Sequence, residues 1–241
     1  MTITGNIAET INRLPKGYVF TYADFVTDAN RKEAIIKALN RMAASGKIAK
    51  LSKGKFYKPE NSSFGALPPN QGQIVKDLLE SNGKLTGYLT GYSVYSQLGL
   101  TTQISNSIQI GKNEVRSSFK RGRYTISFVK QKNIITKDNI PLLQVLDAIR
   151  YIKKIPDSNP PSACKRILTI IKKLSEKDKS TLVRLALKYP PASRALLGAL
   201  LETSRKKSLA VPLYKSLNHF SIYQLPGVNK ILLVAGKWNI R

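Results

Sequence analysis

The sequence predicts an α+β fold, and three patterns carry that prediction. Residues 3–45 hold apolar side chains at helical spacing and run into a basic strand–glycine–strand motif. The middle of the chain alternates as a half-buried strand does, best over Tyr124-Thr125-Ile126-Ser127-Phe128-Val129. After Pro160-Pro161 the apolar residues return to a helical period.

The elements follow in order. Ile3, Ile7, Ile11 and Leu14 make one face of a first helix, and Pro15-Lys16-Gly17 stops it. Thr21 is placed to cap a short second helix over 22–26. Asp28-Ala29-Asn30 reads as a turn. A third helix over 31–45 turns Ile35, Ala38, Leu39 and Met42 inward, and Gly46 ends it. Lys47 to Leu51, the Ser52-Lys53-Gly54-Lys55 turn and Phe56-Tyr57 form a hairpin. Three short helices and a basic hairpin are the plan of a winged helix–turn–helix, expected over residues 1–60. Gly65, Pro68, Pro69 and Gly72 mark 62–73 as a linker.

A mixed α+β domain is expected over 70–157. It has a helix at 74–79, a short helix at 93–98 between glycines, and a strand-like stretch holding Ile104, Ile108 and Ile110. Lys120-Arg121-Gly122-Arg123 is a turn joining the Tyr124 strand to one before it. Leu142, Leu143, Val145, Leu146, Ile149 and Ile152 make an amphipathic helix ended by Ile155-Pro156. Residues 158–241 are expected to be a basic, mainly helical region packed on the middle domain. Its stripes are Ile167, Leu168, Ile171 and Leu174, then Leu182, Leu185 and Ala186, then, after Pro190-Pro191, Leu196, Leu197, Leu200 and Leu201. The tail from Leu217 is too apolar to be free and should pack back on the body.

Charge narrows the function. Forty Lys+Arg against fourteen Asp+Glu give +26, with a pI near 10.2. Such an excess points to a polyanionic or strongly acidic partner. It grows along the chain, from +6 over 1–60 to +7 over 61–157 and +13 over 158–241. No apolar run reaches the length of a membrane span, the first residues lack a signal-peptide plan, and one cysteine cannot form an intrachain disulfide; a cytoplasmic protein is expected.

Catalytic signatures are scarce, so a non-enzyme without metal or cofactor is expected. His219 is the only histidine, which works against triads and metal clusters and leaves it a local role in the tail. Cys164 opens a helix beside Lys165 and Arg166, a setting that lowers a thiol pKa, although a buried structural cysteine is the plainer reading. Gly236-Lys237 is followed by Trp238 rather than Ser or Thr, so it is no phosphate-binding loop. Asp138 reads as a helix cap and Asp147 as a surface charge. Tyr88, Tyr92 and Tyr95 have the chemistry to stack on bases, although core packing is the plainer reading.

The binding signature is in the first sixty residues. A single helix fits the major groove of duplex DNA, and a hairpin can follow the backbone. Arg31 and Lys32 lie at the entry of the third helix, and Lys37, Asn40 and Arg41 point away from its apolar stripe. Lys50, Lys53 and Lys55 decorate the wing. Cations of this kind hold phosphates, while Asn and Arg also read base edges.

The run from Ala34 through Leu39-Asn40-Arg41-Met42, Ser45-Gly46-Lys47 and Lys53-Gly54-Lys55-Phe56-Tyr57 to Pro59 resembles the winged helix of AbiEi-type antitoxins. Leu89-Thr90-Gly91-Tyr92-Ser93-Val94-Tyr95 through Gln103 is similar to the opening of their second domain. The resemblance covers residues 1–157, and Tyr189 to Gly198 and Lys237 to Ile240 are similar to one branch of that family. It implies a type IV toxin–antitoxin, or abortive-infection, role: repression of the protein's own operon by binding double-stranded operator DNA, and opposition to a nucleotidyltransferase toxin, functionally or by direct contact, with a homodimer compatible with both. The strongly basic last third departs from typical members. A free-standing winged-helix regulator with a dimerising or sensing C-terminal region is the alternative.

Overall fold

The computed structural model describes residues 3–26, 31–63 and 65–241, and the turn expected at Asp28-Ala29-Asn30 lies outside them. The fold is α+β. The chain divides into two compact units, residues 1–77 with 120–124 and residues 78–119 with 125–241.

The first unit begins with α1 (Ile3–Arg13), β1 (Val19–Thr21) and a 3-10 turn at Tyr22–Phe25. Then come α2 (Lys32–Ala44), β2 (Ala49–Ser52) and β3 (Lys55–Tyr57). Thr21 caps the 3-10 turn: its hydroxyl accepts from the Ala23 N–H at 3.2 Å, and Asp24 Oδ2 accepts the Thr21 N–H at 2.7 Å. That reciprocal pair satisfies two donors the turn would otherwise leave open. The strands form an antiparallel sheet in the order β1-β3-β2, with Phe20 opposite Phe56. Those two rings stack at 6.4 Å within a core that takes Ile7 and Ile11 from α1 and Ile35, Ala38, Leu39 and Met42 from α2. The wing turns at Gly54, whose φ of 72° is costly for any residue with a Cβ.

The segment expected to be a linker is built instead. β4 (Glu60–Ser62) pairs with β5 (Gly65–Leu67), and α3 (Gln71–Ile74) is capped by the Asn70 carboxamide, which accepts from the Gln73 N–H at 2.9 Å. The Gln73 side chain in turn accepts the Val19 N–H at 3.2 Å. A segment that satisfies a backbone donor of the sheet belongs to the first body. The division therefore falls after Asp77, inside α4 (Lys76–Leu79), rather than between 60 and 70.

In the second unit, β6 (Glu80–Ser81) and β7 (Lys84–Leu85) form a small hairpin. β8 (Gly87–Thr90) is followed by α5 (Tyr92–Tyr95) and β9 (Ser107–Lys112). β10 (Phe119–Arg121) and β11 (Tyr124–Lys130) bracket the turn that groups with the first unit. β9 runs antiparallel to β8 and parallel to β11, with Ile108 opposite Ile126. Helices follow: α6 (Ile140–Arg150), α7 (Pro160–Lys173), α8 (Glu176–Ala186), α9 (Pro191–Thr203) and α10 (Lys207–Lys215). One hydrophobic core runs from Tyr88 to Ile240, so residues of the expected middle and last regions share a single interior.

The tail packs back into that core through Leu225, Val228, Leu232, Ala235 and Trp238. Trp238 packs against α9 where the helix has Gly198. A Cβ at 198 would come within 2.1 Å of the indole ring. The indole N–H donates to Glu202 Oε2 at 3.1 Å. His219 stacks at a tilt on Tyr214, 5.0 Å between centroids.

Two sequence expectations are corrected here, and the plainer reading of Cys164 as a buried structural cysteine holds. Asp147 is not a surface charge. It is 1% exposed and accepts from the hydroxyls of Tyr88, Thr90 and Tyr189 at 2.7–2.8 Å. Burial pushes its carboxyl above the ordinary value, against the pull of those hydroxyls and the Arg150 charge. Asp138 is exposed, and the N-cap position of α6 is held by Asn139, with no side-chain cap bond. Cys164 is buried, and burial pushes its thiol up to about 12, so the neighbouring cations do not activate it.

Candidate nucleic-acid interface

The apolar side of α2 fixes the direction of its polar side. Ile35, Ala38, Leu39 and Met42 lie in the core at 6% exposure or less. Residues 37, 40 and 41 therefore have to face outward on a helix of 3.6 residues per turn. Lys37, Asn40 and Arg41 are all exposed, as are Arg31 and Lys32 at the helix start. Lys32 holds its ammonium 5.1 Å from the centre of the Tyr22 ring, which sets its stem along the 3-10 turn. The structure thus puts four of the eight sequence-selected residues on one helix and a fifth, Arg31, at its N-cap.

The wing divides the other three. Lys50 and Lys53 are exposed on β2 and the Gly54 turn. Lys55 is half-buried, with its ammonium 3.1 Å from Asp77. Its charge is already answered within the unit, so it is a weaker candidate for a phosphate contact than its two neighbours.

Asp77 belongs to a clamp that the sequence alone does not show. Arg121 makes a two-pronged contact with it, at 2.7 and 2.9 Å, and also donates to the Ile74 carbonyl at 2.7 Å. Next in the chain, Gly122 approaches β2 so closely that a Cβ would lie 2.8 Å from the Leu51 carbonyl oxygen. The turn at 120–124 is thereby fixed beside the wing. Its remaining cations, Lys120 and Arg123, are exposed. Sequence reading identified the turn but not its place. The signal was its composition, three cations around a glycine. With this turn included, the first unit carries fifteen basic and six acidic residues.

A family model described as a family of unknown function, DUF6088, matches residues 6–180. The chain belongs to the DUF6088 family. The matched stretch takes in α2, the wing, the clamp and the sheet of the second unit. No curated protein matches by sequence. Among solved structures, the chain is similar to the crystal structure of the RV2827C protein from Mycobacterium tuberculosis, with a TM-score of 0.50 and 14% identity over 93% of this chain and 85% of that one. At that identity the likeness is one of fold.

In this DUF6088 chain the clamp has a pH signature. Burial alone would raise the Asp77 carboxyl, but hydrogen bonds and charge from Arg121, then Lys55, hold it below its ordinary 3.8. A carboxyl depressed in the folded state stabilises above its unfolded pKa, and that contribution is lost as pH falls through the folded value. Asp77→Asn is therefore expected to destabilise the protein at neutral pH, with the gap to the parent closing below about pH 4. Urea unfolding of both proteins across pH 2–7 checks this; a gap that stays constant with pH contradicts it.

Among the described residues, no group of three His, Cys, Asp or Glu is placed to hold a metal ion. No helix among them is long and apolar enough to cross a membrane.

Proposed function

We propose that the chain is a DNA-binding repressor whose first unit reads operator DNA, and that it serves as the antitoxin of a type IV toxin–antitoxin pair. One observation carries the DNA-binding part. The exposed face of α2, with Lys37, Asn40 and Arg41, lies in the same small unit as a hairpin tipped by Lys50 and Lys53. In this reading α2 enters the major groove and the wing lysines contact phosphates. The antitoxin part rests on the AbiEi-like runs in the sequence. It assigns opposition to a nucleotidyltransferase toxin to the second unit and places the protein in the cytoplasm.

The DNA-binding part is tested by titrating the full chain against its own upstream DNA at several salt concentrations. Lys53→Ala is expected to weaken binding to all sequences alike and to reduce the salt slope by about one unit. Lys55→Ala is expected to change the slope less, because Asp77 already answers that charge. Equal slopes for Lys53→Ala and the parent would remove the wing from the interface. Co-expression with the product of the adjacent open reading frame, read as growth, tests the antitoxin part. Operator binding without rescue of growth favours the free-standing regulator.

A further inference from the structure

The second unit holds a cavity of about 520 Å³ with an unusual charge balance. Five of its ten lining residues are cations, Lys130, Lys132, Arg150, Lys188 and Arg194, and none is acidic. They come from the end of β11 and the residues just after it, the end of α6, the corner between α8 and α9, and the first turn of α9. None of the five forms an ion pair among the described residues, although the Arg150 charge acts on the buried Asp147 behind the wall. Gathering like charges around one concavity costs free energy unless an anion answers them. The Nε of Arg194 is also buried without a hydrogen-bond partner, while its Nη1 donates to the Ser216 carbonyl at 2.9 Å.

Beneath the cations the wall is fixed. Gln131 and Tyr189 line the cavity, and both are buried. The Gln131 carboxamide donates to the hydroxyls of Tyr88 and Tyr189 at 2.8 Å each, and Tyr189 donates to Asp147 at 2.8 Å. A satisfied buried network of this kind holds a surface rigid. On another side, Leu187, Pro190 and Pro191 give the cavity an apolar wall, with Leu187 41% exposed. A basic surface that merely kept the chain dispersed would need neither the concavity, nor the fixed polar wall, nor the apolar one.

We propose that this cavity binds a nucleoside triphosphate. The phosphates lie among the five cations, and the base or ribose lies against Leu187, Pro190 and Pro191. A half-open concavity of this size suits one nucleotide rather than a strand of nucleic acid, which calls for an extended groove. The proposal is independent of DNA binding by the first unit.

The test is calorimetric titration of the full chain with ATP and GTP, with inorganic triphosphate as the phosphate-only probe. One site per chain is expected, with a dissociation constant of about 10–100 µM. Lys130→Gln/Lys188→Gln, which alters two exposed side chains, is expected to weaken binding by about tenfold or more. Lys172→Gln/Lys173→Gln, an equal charge change on the exposed face of α7, is expected to change it less than about twofold. Arg194→Gln gives a second variant, and thermal melts confirm that each protein is folded. Equal losses for the cavity and α7 variants would make the binding diffuse and overturn the site. Inorganic triphosphate binding as tightly as ATP and GTP would overturn the nucleotide assignment, as would tighter binding of a short single-stranded RNA through the same lysines. Absence of binding at about 1 mM nucleotide would overturn the proposal as a whole.

Discussion

Replacing Lys37, Asn40 and Arg41 together by alanine is expected to abolish operator preference while leaving weak, salt-sensitive binding to any duplex. The three residues lie on the exposed face of α2, and their removal leaves the core residues Ile35, Leu39 and Met42 in place. Each well-formed contact to a base edge is worth about 1–3 kcal/mol of discrimination. Loss of two of them, from Asn40 and Arg41, lowers specific affinity by roughly 1.5 to 4 orders of magnitude. In the proposed reading the residual binding comes from Lys50 and Lys53, so it should show a flat sequence profile. Fluorescence anisotropy on operator and scrambled duplexes at one salt concentration measures both. A variant that still distinguishes the two duplexes as the parent does would move the reading surface off α2.

The largest stability effect is expected at Trp238. Its side chain is 2% exposed and rests on α9 at Gly198, with Glu202 accepting its N–H. Trp238→Ala removes this packing and leaves a cavity, at a cost of about 3–5 kcal/mol. For a chain of this size that lowers the melting temperature by roughly 6–20 °C. Gly198→Ala is expected to be destabilising by about 1–3 kcal/mol, because the new methyl group meets the indole. Near Gly236 a Cβ would meet nothing within 4 Å, so Gly236→Ala serves as the uncrowded comparison. In the Trp238→Ala background, Gly198→Ala should lose its penalty, since the ring it meets is gone. Additive losses in the double variant would show that the two residues do not press on one another.

The elements that were legible in the sequence are those whose evidence is local. The inner stripe of α2 is a helical period, and the residues it exposes follow from the same geometry. The Gly54 turn announces a hairpin because few other residues accept its backbone angle. The stripes of α7, α8 and α9 are read in the same way. Short elements were missed: β1 has three residues, too few for any period to show, and β4 and β5 lie among the glycines and prolines that suggested a linker. α10 carries Pro212 in its interior, which argues against a helix on sequence grounds, yet Ala210 and Leu213 are buried in the core.

Sequence by itself determined α1, α2 and the hairpin that follows, the face of α2 turned to solvent, and the size and drift of the positive charge. Those follow from side-chain period and composition, which need no partner. Tertiary structure alone decided what becomes of individual charges. Asp147 is buried because Tyr88, Thr90 and Tyr189, lying 59, 57 and 42 residues away, supply hydroxyls to its oxygens. Lys55 is drawn from the wing surface by Asp77, and Arg121 reaches that same carboxylate across 44 residues of chain. The cations around the Gln131–Tyr189 wall sit on elements far apart in sequence, so no window along the chain contains them. The burial and pairing of a charge depend on groups that only folding brings within a few ångströms, and Coulomb and desolvation energies act over just that range.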